Sequence, residues 1–111
     1  MLKKISTIVF TVTLIIILVD GCRVKDIKTV TIKVPGLKNE TCVKIVLNAL
    51  MQQPGLEEVR ADITNRCIFI KYNSMIIAKK NLEYAITSAG FDANEEKADP
   101  KAYEALPNEC K

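Results

Sequence analysis

The stretch Val30-Thr31-Ile32-Lys33-Val34-Pro35-Gly36-Leu37-Lys38-Asn39-Glu40-Thr41-Cys42-Val43 decides the fold. Val30, Ile32 and Val34 alternate with Thr31 and Lys33, the period of a half-buried strand. From Val43 the period changes. Val43, Val46, Leu47 and Leu50 fall at i, i+3, i+4 and i+7, one apolar stripe of a helix. Pro35 and Gly36 break the strand, and Thr41 offers a side-chain oxygen to cap the helix. Cys42 is thereby placed in or just before the first helical turn. Free backbone N–H groups and the positive end of the helix dipole there favour a thiolate over a thiol. A thiolate is the ligand that a soft metal ion selects.

Working outward, the same two periods recur. The first strand is expected at about Ile27–Val34 and the first helix at about Thr41–Gln53, stopped by Pro54-Gly55. A second strand is expected at about Leu56–Ile63, with a turn at Thr64-Asn65-Arg66. A third covers Cys67–Tyr72, where Ile68, Ile70 and Tyr72 alternate with Cys67, Phe69 and Lys71. A second helix, about Ala78–Ala89, buries Leu82, Ala85, Ile86 and Ala89 and ends at Gly90. A short charged strand is expected at about Phe91–Glu95. The order predicts an α+β, ferredoxin-like βαββαβ sandwich, a four-stranded antiparallel sheet with both helices on one face. Val30, Ile32, Val34, Val46, Leu50, Ile68, Ile70, Leu82 and Ile86 are expected to share its core.

With those elements in place, the chain resembles the heavy-metal-associated domain family, small soft-metal carriers and metal-pump modules of periplasmic mercury- or copper-binding type. The family motif is a strand, Gly-Met-x-Cys-x-x-Cys, then a helix. Here Gly36 is kept, Leu37 stands for the Met, Asn39 for the first cysteine, and Cys42 is the second cysteine. Pro54-Gly55-Leu56, Ile68-Ile70-Tyr72 and Ala89-Gly90-Phe91 extend the likeness across about residues 27 to 95. The resemblance implies soft-metal binding, with Cu(I), Hg(II) or Zn(II) as candidate ions. It also implies a metal transporter or metal-donating protein as partner.

The chain's ends carry other signals. Lys3 and Lys4 precede an apolar run from Ile5 to Val19, fifteen residues that span about 22 Å as a helix, short of a ~30 Å hydrocarbon core. A cleavable export signal is favoured over a permanent span. Leu18-Val19-Asp20-Gly21-Cys22 resembles a bacterial lipoprotein processing site with Cys22 as the lipidated residue, although Asp20 is an unusual occupant of its position. An uncleaved N-terminal anchor is the alternative. Either reading implies a domain of the bacterial cell envelope, facing outside the cytoplasm. The expected division is an export signal at 1–21, a tether at 22–26, the metal-carrier-like domain at 27–96, and a tail at 97–111. In the tail, Asp99-Pro100 starts a single-turn helix with Tyr103 and Leu106 on one face. The open sheet face near Phe69 and the flank of the first helix are its expected seats.

Charge and chemistry exclude several classes. Without Lys3, Lys4 and Asp20, the 16 basic and 13 acidic residues fall to 14 and 12, too balanced for a nucleic-acid surface. The chain has no histidine, which removes the commonest general base and metal ligand. No catalytic motif or phosphate loop is present, so an enzyme is not expected. There are four cysteines. If Cys22 is lipidated, three remain and cannot all pair internally. Cys67 alternates with buried residues and should face away from Cys42, so a direct Cys42–Cys67 bond is not expected. The fourth strand would take the chain to the end opposite Cys42. A dozen residues at ~3.3 Å each could bring Cys110 back, as second ligand with Cys42 or as a disulfide partner of Cys67. Met51 and Met75 read as core or helix-edge packing.

Two functional readings stay open: soft-metal binding or transfer through Cys42 and one further thiolate, and a metal-free interaction module using the tail and the apolar flank of the first helix. A single-cysteine thiol reductant ranks third. The oligomeric state is not legible in the sequence.

Overall fold

The computed structural model describes residues 25–111. The export signal, Cys22 and most of the tether lie outside the described residues.

Strand β1 (Ile27–Lys33), helix α1 (Glu40–Met51), strands β2 (Leu56–Asp62) and β3 (Cys67–Asn73), and helix α2 (Lys79–Ser88) follow in the expected order. The sheet is antiparallel with order β1-β3-β2, so β3 is central. Register sets Val30 opposite Ile70 and Ile70 opposite Val59, with Ile32, Ile68 and Ala61 forming the next row. These side chains point to one face by the strand's period of two. Both helices supply the apolar stripe that covers it, through Val46, Leu50, Leu82, Ala85 and Ile86. Of the nine expected core residues, Val30 alone is only half-buried, and it packs against the cluster holding the other eight.

The β1–α1 loop differs in one detail. Asn39, not Thr41, caps the helix, its Oδ1 accepting the Cys42 N–H at 3.1 Å. Helix α1 therefore starts at Glu40, and Cys42 is its third residue. Asn39 is extended at φ −153° and ψ 179°, the backbone shape of an N-cap, and its short amide reaches the third N–H of the turn. Gly36 is required for space: a Cβ there would meet the Phe91 ring at 2.7 Å.

No fourth strand forms among the described residues. After α2 the chain makes only an isolated bridge between Ala93 and Glu96. Asn94 lies at φ 53°, a left-handed conformation that Asn tolerates better than most residues. Its N–H donates to the Lys33 carbonyl at 2.8 Å, and its Oδ1 accepts the Lys33 N–H at 2.9 Å. That is one rung of pairing on the β1 edge, and the chain then turns back. Asp92-Ala93-Asn94-Glu95 has no β-branched residue, so strand propensity is too weak to resist the turn.

This early turn relocates the tail. The Asp99 N–H donates to the Thr87 carbonyl at 2.9 Å, and helix α3 (Pro100–Glu104) starts there with Asp99 as its cap. The tail does not lie on the open sheet face, where the Arg60 guanidinium stands 6.0 Å from the centre of the Phe69 ring. It runs past Gly90 to the start of α1, and Leu106 is buried in the core while Tyr103 is exposed. Gly90 makes this passage possible. Its φ is +105°, and a Cβ would fall 2.8 Å from the Ala102 carbonyl oxygen.

Candidate metal centre

The tail ends in a 3-10 turn, Asn108–Cys110, that brings the Cys110 sulfur to Cys42. The two are joined as a disulfide, with Cα atoms 5.7 Å apart across 68 positions of sequence. Neither is accessible: Cys42 is 0% and Cys110 3% exposed. Leu37 is fully buried in the core. It shapes the loop by packing.

Asn39 holds the corner from two sides. While Oδ1 caps α1, its Nδ2 donates to the Glu109 carbonyl at 3.3 Å. Next to it the Lys38 ammonium donates to the Lys111 carbonyl. Asn39 is thus a clamp on the segment that delivers Cys110. The sequence showed a hydrogen-bonding residue in the loop. Its partner is a backbone oxygen 70 positions away, which no local pattern signals.

Of the two alternatives for Cys110, the Cys67–Cys110 bond is not formed. Cys110 is bonded to Cys42, and Cys67 is a buried free thiol. The reason is layering. Cys67 follows the alternation opposite to Ile68 and Ile70 and so leaves β3 on the face away from the helices, whereas Cys42 and Cys110 lie on the helix side. Met51 and Met75, expected as packing residues, are both exposed.

Chemically the corner offers two sulfurs and little else. Among the described residues no group of three or more His, Cys, Asp or Glu comes together. Zinc in structural sites takes four ligands, two more than the sulfurs here supply. Two thiolates suit a soft ion that accepts two-coordination, such as Cu(I) or Hg(II). In the disulfide both sulfurs are already bonded to each other, and coordination requires the reduced pair.

The comparisons converge on one fold. Oxidized MerP from Ralstonia metallidurans CH34 superposes with a TM-score of 0.60 at 23% identity, covering 62% of this chain and 96% of that one. A putative copper-ion-binding protein from Bacillus anthracis gives 0.60 at 18%, covering 64% and 100%. The CopZ metallochaperone gives 0.57 at 21%, covering 60% and 98%. By sequence, 64 residues are 28% identical to part of Copper-transporting ATPase 1 of Rattus norvegicus. That match covers 58% of this chain and spans 4% of the ATPase's length. No family profile matches the chain. The fold is thus that of small heavy-metal-associated domains.

Proposed function

We propose that this chain is an envelope-anchored carrier domain that binds one soft metal ion between the sulfurs of Cys42 and Cys110 in its reduced state. One observation supports the reading: Cys110 is joined to Cys42, the one cysteine of the β1–α1 corner, beside the Asn39 hydrogen bond to Glu109. The copper named for one structural neighbour and for the ATPase relative makes Cu(I) the first candidate, with Hg(II) next by softness. A metal transporter or metal-donating protein is the corresponding partner. Lipidation of Cys22 supplies the anchor in this reading.

The chemistry balances with an external dithiol as reductant. Two electrons and two protons convert the Cys42–Cys110 disulfide into two thiols, and the reductant leaves as a disulfide. Binding then releases two protons as the ion takes both sulfurs. The start of α1 stabilises the Cys42 thiolate through backbone N–H groups and the helix dipole.

The disulfide itself favours a second reading, a metal-free interaction module in which the bond only pins the tail. The test is native mass spectrometry and Cu(I) competition on the full chain, oxidised and after reduction by a phosphine. Carriage predicts a one-to-one Cu(I) complex in the reduced protein only, lost in Cys42→Ser and Cys110→Ser. Failure of the reduced chain to compete for Cu(I) or Hg(II) leaves the interaction module. Anchorage is read separately: Cys22→Ser should release the domain from membranes or leave an uncleaved precursor.

A further inference from the structure

The end of the domain remote from Cys42 has an unusual surface. Of seven large apolar side chains exposed among the described residues, four belong to it: Met51 at 72%, Met75 at 68%, Ile76 at 58% and Ile27 at 37%. They come from three parts of the chain that topology brings to one end of the domain. Ile27 opens β1 and pairs in register with Asn73 at the close of β3. Met51 closes α1, just before the Pro54-Gly55 turn. Met75 and Ile76 follow β3, and Ile76 packs on Gly55, whose Cβ position lies 2.9 Å from the Ile76 side chain.

The same end receives the chain from its N-terminal apolar run. The Ser74 N–H donates to the Asp26 carbonyl at 2.7 Å, and the Ser74 hydroxyl also donates to the Asp26 side chain. Asp26 is therefore fastened beside Met75. In sequence it lies seven residues after Val19 and four after Cys22. Fully extended, four residues reach about 13 Å at ~3.3 Å each. Whether the membrane is met by the Ile5–Val19 run or by a lipid on Cys22, the tether is too short to let the domain wander far.

We infer that Met51, Met75 and Ile76 form a membrane-contact surface, seated on the bilayer interface so that the Cys42–Cys110 corner points away from the lipid. The inference rests on the anchored reading above, in either of its two forms. Exposed apolar surface gathered in one patch is costly in water, and a lipid interface a few residues away covers it. Flexible thioether side chains adapt to such a surface. Contact is apolar: Lys25 and Lys28 are accompanied by Asp26, so no anionic headgroup is needed.

The test uses the full chain in phosphatidylcholine nanodiscs, with methionine methyls and tyrosine rings labelled for NMR. A nitroxide-bearing lipid should broaden the Met51 and Met75 methyl signals several-fold more than the Tyr84 ring, and a water-soluble gadolinium chelate should do the reverse. High salt should change neither result. The triple variant Met51→Gln, Met75→Gln, Ile76→Ser should remain on the discs through the N-terminal segment but give sharper tyrosine-ring signals from a freely tumbling domain. Methyls that respond to the soluble chelate as Tyr84 does, or a variant with unchanged line widths, overturn the contact while leaving the anchor intact. A chain that does not co-purify with the discs overturns both.

Discussion

The two ends of this small sandwich are finished in opposite ways. At the Cys42 end, fifteen tail residues fold back over the β1–α1 loop, bury Leu106 and Cys110, and close with a disulfide and the Asn39 and Lys38 hydrogen bonds. At the other end the turns Pro54-Gly55 and Ser74–Ile76 are held by backbone bonds, and Met51, Met75 and Ile76 face outward without cover. The difference teaches where the tail is used: it covers the sulfur-bearing end and leaves Met51, Met75 and Ile76 exposed.

Breaking the covalent link gives the largest expected effect. Cys110→Ser removes a cross-link across 68 positions, and the lost loop-closure entropy corresponds to about 4 kcal/mol of stability. Urea unfolding of the variant and of the wild type should differ by that order without reductant and converge with it. A difference that survives reduction would assign the effect to Cys110 packing, not to the bond. Met51→Gln at the opposite end should leave stability within about 0.5 kcal/mol, as expected for a surface site.

Next in size is the tail's seat. Gly90→Ala forces a side chain onto a left-handed backbone and against the Ala102 carbonyl oxygen at 2.8 Å. The strain alone is on the order of 1–3 kcal/mol. The tail should loosen, so amide exchange at Tyr103 and Leu106 should rise more than exchange in β3. Equal rises in both places would mean that the tail and sheet open as one unit.

The sheet order of β1, β2 and β3, both long helices and nearly the whole core were legible because each rests on a local period. Ile68-Ile70-Tyr72 alternates, and Val43-Val46-Leu47-Leu50 follows a helical stripe. What failed was set by competition or by distance. Phe91–Glu95 had the position of a fourth strand in the resembled family, but Asn94 prefers a turn and no β-branched neighbour opposes it. That one turn redirected the tail, and with it the disulfide. Cys67 was correctly expected on the face away from Cys42, yet the consequence for Cys110 depended on a path that local sequence does not encode. Gly90 could be read as a helix stop. Its second role, admitting α3 against its backbone, appears only in three dimensions.

The smallest expected effect at the sulfur-bearing corner belongs to Asn39, and it separates capping from clamping. Asn39→Ala removes both the bond from the Cys42 N–H and the bond to the Glu109 carbonyl. Loss of an N-cap costs about 1 kcal/mol. The clamp, half exposed and 3.3 Å long, adds less than a typical net hydrogen bond of about 1 kcal/mol. Asn39→Asp keeps the cap, since a carboxylate accepts the Cys42 N–H and suits the helix dipole, but it cannot donate to Glu109. Asn39→Asp should therefore match wild type in helix stability while shifting the thiol–disulfide equilibrium towards the reduced form, because the turn carrying Cys110 is less well held. Equilibration against glutathione measures that shift directly. If Asn39→Asp and wild type equilibrate at the same ratio, the clamp contributes nothing to the pairing of Cys110 with Cys42, and the corner is held by the disulfide and the burial of Leu106.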